Sequence, residues 1–131
     1  MKWKQEYSTG NDEIDEQHKS LFLFSEEFRD VLNNGFGQKT YDLFLEFLAE
    51  YSKLHFEFEE ECMLAHKCPA ACKNKDEHAL FTKVVTKEIE TFEKLGFDRD
   101  RAFELLNKID TWLDSHICRI DVQLKDCIEQ G

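Results

Sequence analysis

His18, His55, His78 and His116 stand on four different stretches of helical hydrophobic spacing, and a carboxylate accompanies two of them, Glu59 after His55 and Asp121 after His116. A chain of 131 residues with five histidines in all gains little packing from setting four of them on apolar stripes. A buried metal centre, by contrast, needs such a convergence of neutral imidazoles and bridging carboxylates. Each histidine alone reads as a core residue bonded to a backbone carbonyl, but the four together favour a metal site, read as non-haem iron.

His55 and Glu59 are four residues apart, so they project from one helix face about 6 Å apart along the axis and can reach the same centre. Glu60 and Glu61 extend this into an acidic run, and such a run reads as a solvated face, with only Glu59 on the apolar stripe. Asp121 lies about 140° around an ideal helix from His116, so periodicity alone does not select it, and beside Arg119 it also reads as an exposed charge.

The elements that would carry these residues are four amphipathic segments. Breaks fall at Asn33-Asn34-Gly35-Phe36-Gly37, at Cys68-Pro69 and at Leu95-Gly96-Phe97-Asp98. The first segment, about Asp12 to Leu32, carries the stripe Ile14, His18, Leu21, Ser25, Phe28 and Leu32. The second, about Lys39 to Lys67, carries Phe44, Leu48, Tyr51, His55, Glu59, Cys62 and His66.

The third segment opens with Pro69, tolerated in a first helical turn, and carries Asn74, His78, Phe81, Val85, Ile89 and Phe92; Gly96 suits its C-cap. Asp98 can cap the fourth, where Phe103, Leu106, Leu113, His116, Ile120 and Leu124 face one way through to the C-terminus. No segment alternates with period two. The expected fold is all-α, an up-down-up-down antiparallel four-helix bundle, preceded by an extended arm that lays a partly buried Trp3 across its surface.

The length suits one domain, residues 1–131, with no internal repeat or low-complexity linker. Lys+Arg 17 against Asp+Glu 28 gives a formal charge of −11, which repels nucleic-acid phosphates and anionic lipid, so neither is an expected partner. Met1-Lys2-Trp3-Lys4-Gln5 has no apolar stretch after its lysines and no run approaches a membrane span, so a cytoplasmic location is expected. Five cysteines, an odd number, are expected to be reduced thiols rather than a disulfide framework. Cys62 reads as a small core residue, and the spacing of Cys62, Cys68 and Cys72 matches no closed zinc pattern, while Cys118 and Cys127 lie far off in sequence.

The strings IDEQHKSL at Ile14 to Leu21, HFEFEEECM at His55 to Met63, HALF at His78 to Phe81 and WLDSHICRID at Trp112 to Asp121 resemble the hemerythrin family, specifically its bacterial single-domain members. Trp3, Tyr7 and Gly10 match the family's leading arm, and the resemblance covers nearly the whole chain. It implies two non-haem iron ions with an oxo or hydroxo bridge, held by His18, His55, Glu59, His78, His116 and Asp121. Glu59 and Asp121 would bridge both irons, His18 and His55 would ligate one, and His78 and His116 the other.

The implied activity is reversible dioxygen binding for storage, delivery or sensing, by a protein that is not primarily an enzyme. A di-iron redox enzyme acting on peroxide, nitric oxide or ferrous iron is the alternative. Dioxygen is the expected partner, with an unidentified redox partner, and a monomer is expected. Phe22, Phe58, Phe81, Leu113 and Ile117 are candidate walls of a dry pocket.

One family position departs from the pattern. A further histidine normally stands four residues before the one matching His78, and here that residue is Asn74. An amide oxygen is a poorer donor to a transition metal than imidazole. Three outcomes are open: Asn74 or water fills the position, the spare His66 substitutes from about 10 Å further along its helix, or the site binds iron weakly or holds one metal only.

Overall fold

The computed structural model describes residues 2–117 and 123–130, with backbone alone at 129–130. Four long helices form a bundle: α1 Asp12–Asn33, α2 Tyr41–Ala65, α3 Ala71–Leu95 and α4 Arg99–His116; a short α5, Gln123–Gln130, follows. Each long helix packs on two neighbours, α1 on α2 and α4, and α3 on α2 and α4, closing a ring around one interior. Among the described residues no strand is present and no helix is long and apolar enough to cross a membrane.

The helices begin and end where local chemistry dictates. Asn11 accepts a hydrogen bond from the Ile14 N–H at 3.0 Å, and Asp98 accepts from the N–H groups of Asp100 and Arg101, so α1 and α4 both open on side-chain caps. Helix α1 closes in a Schellman arrangement, with Phe36 N–H bonded to the Val31 carbonyl and Gly35 N–H to that of Leu32, and Gly35 supplies the positive φ of 86°. The same pattern closes α2, where Cys68 N–H reaches the Met63 carbonyl and Lys67 N–H that of Leu64. There the left-handed position, φ 52°, falls on Lys67.

The stripes bury through their central turns and less toward some of their ends, where His66 is exposed and Cys62, Ile89, Phe92 and Phe103 are half-buried. All six stripe residues of α1 are buried, as are Phe44, Leu48, His55 and Glu59 of α2 and Asn74, His78, Phe81 and Val85 of α3. The main core continues through Tyr41, Leu105, Leu106, Ile109 and Leu113, with Phe28 stacked on Phe44 at 4.4 Å between ring centroids. At the far end of the core Tyr41 donates to Glu88 at 3.0 Å and Arg101 donates to the same oxygen at 2.8 Å, satisfying a buried carboxylate from two helices.

The N-terminal arm is not wholly extended, since Gln5–Tyr7 makes one 3-10 turn. Tyr7 stacks on Phe22, Trp3 is half-buried as expected, and the Lys19 ammonium lies 4.5 Å from the Trp3 ring centre. Buried Asp15 fastens the arm, accepting from Ser8 Oγ, Thr9 N–H and Thr9 Oγ1 at 2.7–2.9 Å.

With the arm, three expectations are corrected. Helix α3 starts at Ala71, so Pro69 lies in the preceding turn rather than at the first helical position. The expected course of the fourth segment through to the C-terminus is seen in α4 and α5, and its passage between them, 118–122, lies outside the described residues. Leu124 of α5 is buried as the stripe requires, in a second, smaller cluster with Ile14, Met63, Cys68 and Ala70.

The third correction concerns the thiols: Cys68 and Cys127 form a disulfide, with Cα atoms 5.5 Å apart. Leu124 and Cys127 are three apart and share one face of α5, so seating Leu124 in the cluster brings Cys127 to Cys68. Cys62 and Cys72 are free, Cys62 half-buried and Cys72 exposed.

Candidate metal centre

The Glu59 carboxylate lies at the middle of the ring of helices, with no solvent exposure. His18 Nε2 of α1 is 3.1 Å and His55 Nε2 of α2 is 3.3 Å from its Oε2. His78 Nε2 of α3 is 3.0 Å and His116 Nε2 of α4 is 3.6 Å from its Oε1. One carboxylate therefore joins two half-sites, His18–His55–Glu59 and Glu59–His78–His116, each with donor atoms within 4.8 Å of one another. Among the described residues no further such group occurs.

The histidines are held from behind. His55 Nδ1 lies 2.5 Å from Gln17 Oε1, His78 Nδ1 3.1 Å from Glu60 Oε2, and His116 Nδ1 3.2 Å from Glu77 Oε1. An N–H donated outward to each of these acceptors leaves the inner Nε2 with a free lone pair, the tautomer a metal ligand requires. Aromatic rings fix the planes: Phe56 stacks on His78 at 3.8 Å between centroids, Trp112 on His116 at 4.2 Å, and Tyr51 on His55 at 5.5 Å.

The donor set fits a cation. His78 Nε2 and His116 Nε2 approach to 3.1 Å beside the carboxylate, a spacing met either by one proton shared between them or, with both lone pairs turned inward as ligands, by a positive charge standing among them. Burial alone would push the Glu59 carboxyl up, but with the imidazole protons on the inner nitrogens, where a cation would displace them, hydrogen bonds from His116, His18, His55 and His78 outweigh it and hold the carboxyl well below the usual carboxylate range. The group at the centre is thus an anion in an apolar interior, ringed by imidazole nitrogens, donors that suit a transition metal such as iron.

Five of the sequence-predicted ligands, His18, His55, Glu59, His78 and His116, come together. Asp121 lies outside the described residues. Asn74 is fully buried on α3, one turn before His78. His66 does not join the site: it is exposed, at the C-cap of α2. Of the expected pocket walls, Phe22, Phe81, Leu113 and Ile117 belong to the main core, whereas Phe58 is half-buried against the smaller cluster. Cys62 is held by Asn11 Nδ2 at 3.7 Å, and burial pushes its thiol up.

Three residues of the site escaped the sequence reading. Glu60 is not a solvated residue; half-buried, it reaches from α2 across to His78 on α3. Glu77 reaches likewise from α3 to His116 on α4, and Gln17 from α1 to His55 on α2. Each stands directly beside a ligand candidate in sequence, Gln17 before His18, Glu60 after Glu59 and Glu77 before His78, and serves the histidine of the neighbouring helix. An apolar groove of about 420 Å³ between α2 and α3, walled by Leu48, Phe56, Ala79 and Val85, leads to His78 and Glu60.

A helical bundle enclosing two histidine pairs joined by one buried carboxylate defines a cation-binding protein of the carboxylate-centred class. A model of the hemerythrin HHE cation binding domain matches residues 9–128, and the chain belongs to the hemerythrin family. It is 30% identical over 128 residues to a bacteriohemerythrin of Clostridium acetobutylicum, covering 95% of this chain and 98% of the relative. A bacteriohemerythrin of Stenotrophomonas maltophilia is 26% identical over 115 residues, covering 88% of this chain and 72% of the relative. No solved structure matches the chain significantly. The association with non-haem iron and oxygen that the sequence resemblance implied attaches to this family.

Proposed function

We propose that this protein binds dioxygen reversibly at a non-haem di-iron centre, for storage, delivery or sensing of oxygen, in the cytoplasm and as a monomer. The observation that carries the reading is the division of four buried histidines, one from each long helix, between the two oxygens of Glu59. His18 and His55 would hold one iron and His78 and His116 the other, with Glu59 bridging. By resemblance Asp121 would be the second carboxylate to hold both ions, alongside an oxo or hydroxo group.

When bound, the iron pair supplies the reversible electron transfer that dioxygen binding requires. The chain supplies the setting. Glu60, Glu77 and Gln17 orient the rings, Phe56 and Trp112 lock them in plane, and the surrounding Phe22, Phe81, Leu113 and Ile117 exclude water. No residue of the described site offers an acid or base beyond the candidate ligands and their hydrogen-bond partners, which favours binding over catalysis.

Anaerobic loading with ferrous iron, metal counting, and optical spectra before oxygen, under oxygen and after its removal test the proposal. Two irons per chain and a charge-transfer band that comes and goes with oxygen are expected. Irreversible conversion to a ferric form with steady turnover of peroxide or nitric oxide would replace this reading with an enzymatic one.

A further inference from the structure

The outer partners of three of the four histidines differ in charge. His55 donates outward to the neutral amide oxygen of Gln17, whereas His78 and His116 both donate to carboxylates, Glu60 and Glu77. A carboxylate drawing on the Nδ1 proton makes the opposite nitrogen a stronger donor than a neutral amide does. The half-site so strengthened is the one beside Asn74, where the chain has an amide in place of an imidazole.

We infer that Glu60 and Glu77 are positioning residues that offset the Asn74 position, raising the donor strength of His78 and His116 so that two imidazoles retain a metal where three would otherwise be used. The inference rests on the two-cation reading above. Both carboxylates are about a fifth to a quarter exposed, at 25% and 19%, so each keeps water on its far side while its near oxygen faces the ring. Glu77 is further anchored because Trp112 Nε1 donates to its backbone carbonyl at 3.2 Å, while the same indole stacks on His116. Ring plane and outer acceptor are therefore set by one pair of residues.

The test replaces charge while keeping an acceptor. Glu60→Gln and Glu77→Gln, singly and together, give His78 and His116 the same neutral partner that His55 has. Anaerobic titration of the wild-type, variant and Gln17→Glu chains with ferrous iron against a chromophoric chelator gives the two affinities, and Mössbauer spectra of the loaded proteins distinguish the two ions. In the Gln variants one affinity is expected to fall about 10- to 100-fold, and one quadrupole doublet to change, while the other ion is unaffected. Gln17→Glu is expected to tighten the other ion instead.

Unchanged affinities and spectra, or equal loss at both ions, overturn the inference. If the Gln variants fail to fold, as judged by circular dichroism of the metal-free chains, the Gln17→Glu arm decides alone: tightening of one ion supports the inference, and no change sinks it. A wild-type chain that takes up a single ion overturns the two-cation reading and this inference with it, whereas a wild-type chain with two ions and indifferent variants overturns only the inference.

Discussion

At the scale of single residues, Glu59 differs from every other described candidate ligand in serving both half-sites. Removing a histidine takes one donor from one ion, while Glu59→Ala removes a donor from both and the negative charge that screens their mutual repulsion. Glu59→Ala is therefore expected to lose most of both metals on elemental analysis, and His18→Ala or His116→Ala to lose chiefly one. Retention of full metal by Glu59→Ala would refute the central role of the carboxylate. Asn74 offers the complementary gain: Asn74→His adds an imidazole one turn from His78 on the same helix, and is expected to increase metal retention against chelator and slow oxidative loss of the oxygenated state. An unchanged chelator titration and unchanged autoxidation would count against it.

The same scale shows what the sequence could and could not reveal. The ligand candidates were legible because burial and ligation ask for the same helical spacing, so His18, His55, Glu59 and His78 lie on stripes that are otherwise mostly apolar. Glu60 was not legible, since a residue next to a stripe position lies about 100° around the helix and reads as solvent-facing. Its partner belongs to another helix, and only the crossing of α2 and α3 brings His78 to it. Periodicity reports which face of a helix is covered, not what reaches over its edge.

At the scale of elements, the caps and turns carry separable contributions. Asp98 satisfies two N–H groups at the start of α4, so Asp98→Ala is expected to cost about 1 kcal/mol in chemical denaturation. Lys67 is the one non-glycine among the described residues with positive φ, in the position where Gly35 closes α1. Lys67→Gly relieves that strain while loosening the unfolded chain, for a net gain of about 0.5–1 kcal/mol. A rise in melting temperature of about 2–4 °C checks it, and a fall would show that the Lys67 side chain contributes more than its backbone costs. The helices were readable to within a few residues because Gly35, Gly96 and Asp98 mark ends by backbone chemistry; the start of α3, where Ala70 offers no capping side chain, falls just past the expected Pro69.

At the scale of the whole molecule, the candidate ligands come from all four long helices, so ions bound at the two half-sites would join α1 to α2 and α2, α3 and α4 to one another, with Glu59 common to both. Ligands that bind only the native state stabilise it by mass action, about 4 kcal/mol at a free concentration a thousandfold above the dissociation constant. Loading with ferrous iron under anaerobic conditions is expected to raise the melting temperature strongly, and chelation to reverse the rise. Equal melting temperatures with and without metal would mean that the site is not shared among the helices as described.

The pairing of Cys68 with Cys127, 59 residues apart, also changes the molecule's response to being cut. The turn between α3 and α4, around Gly96, lies within the covalent loop that this bond closes, so a protease that severs the chain there would not release a fragment. Nicked protein should migrate as a single band on a denaturing gel without reductant and as two once reductant is added. A cut in the turn between α1 and α2 lies outside the loop and should yield two bands either way. The position of a nick can thus be mapped by gel alone, and the outcome reports directly whether the bond is formed in the protein as isolated.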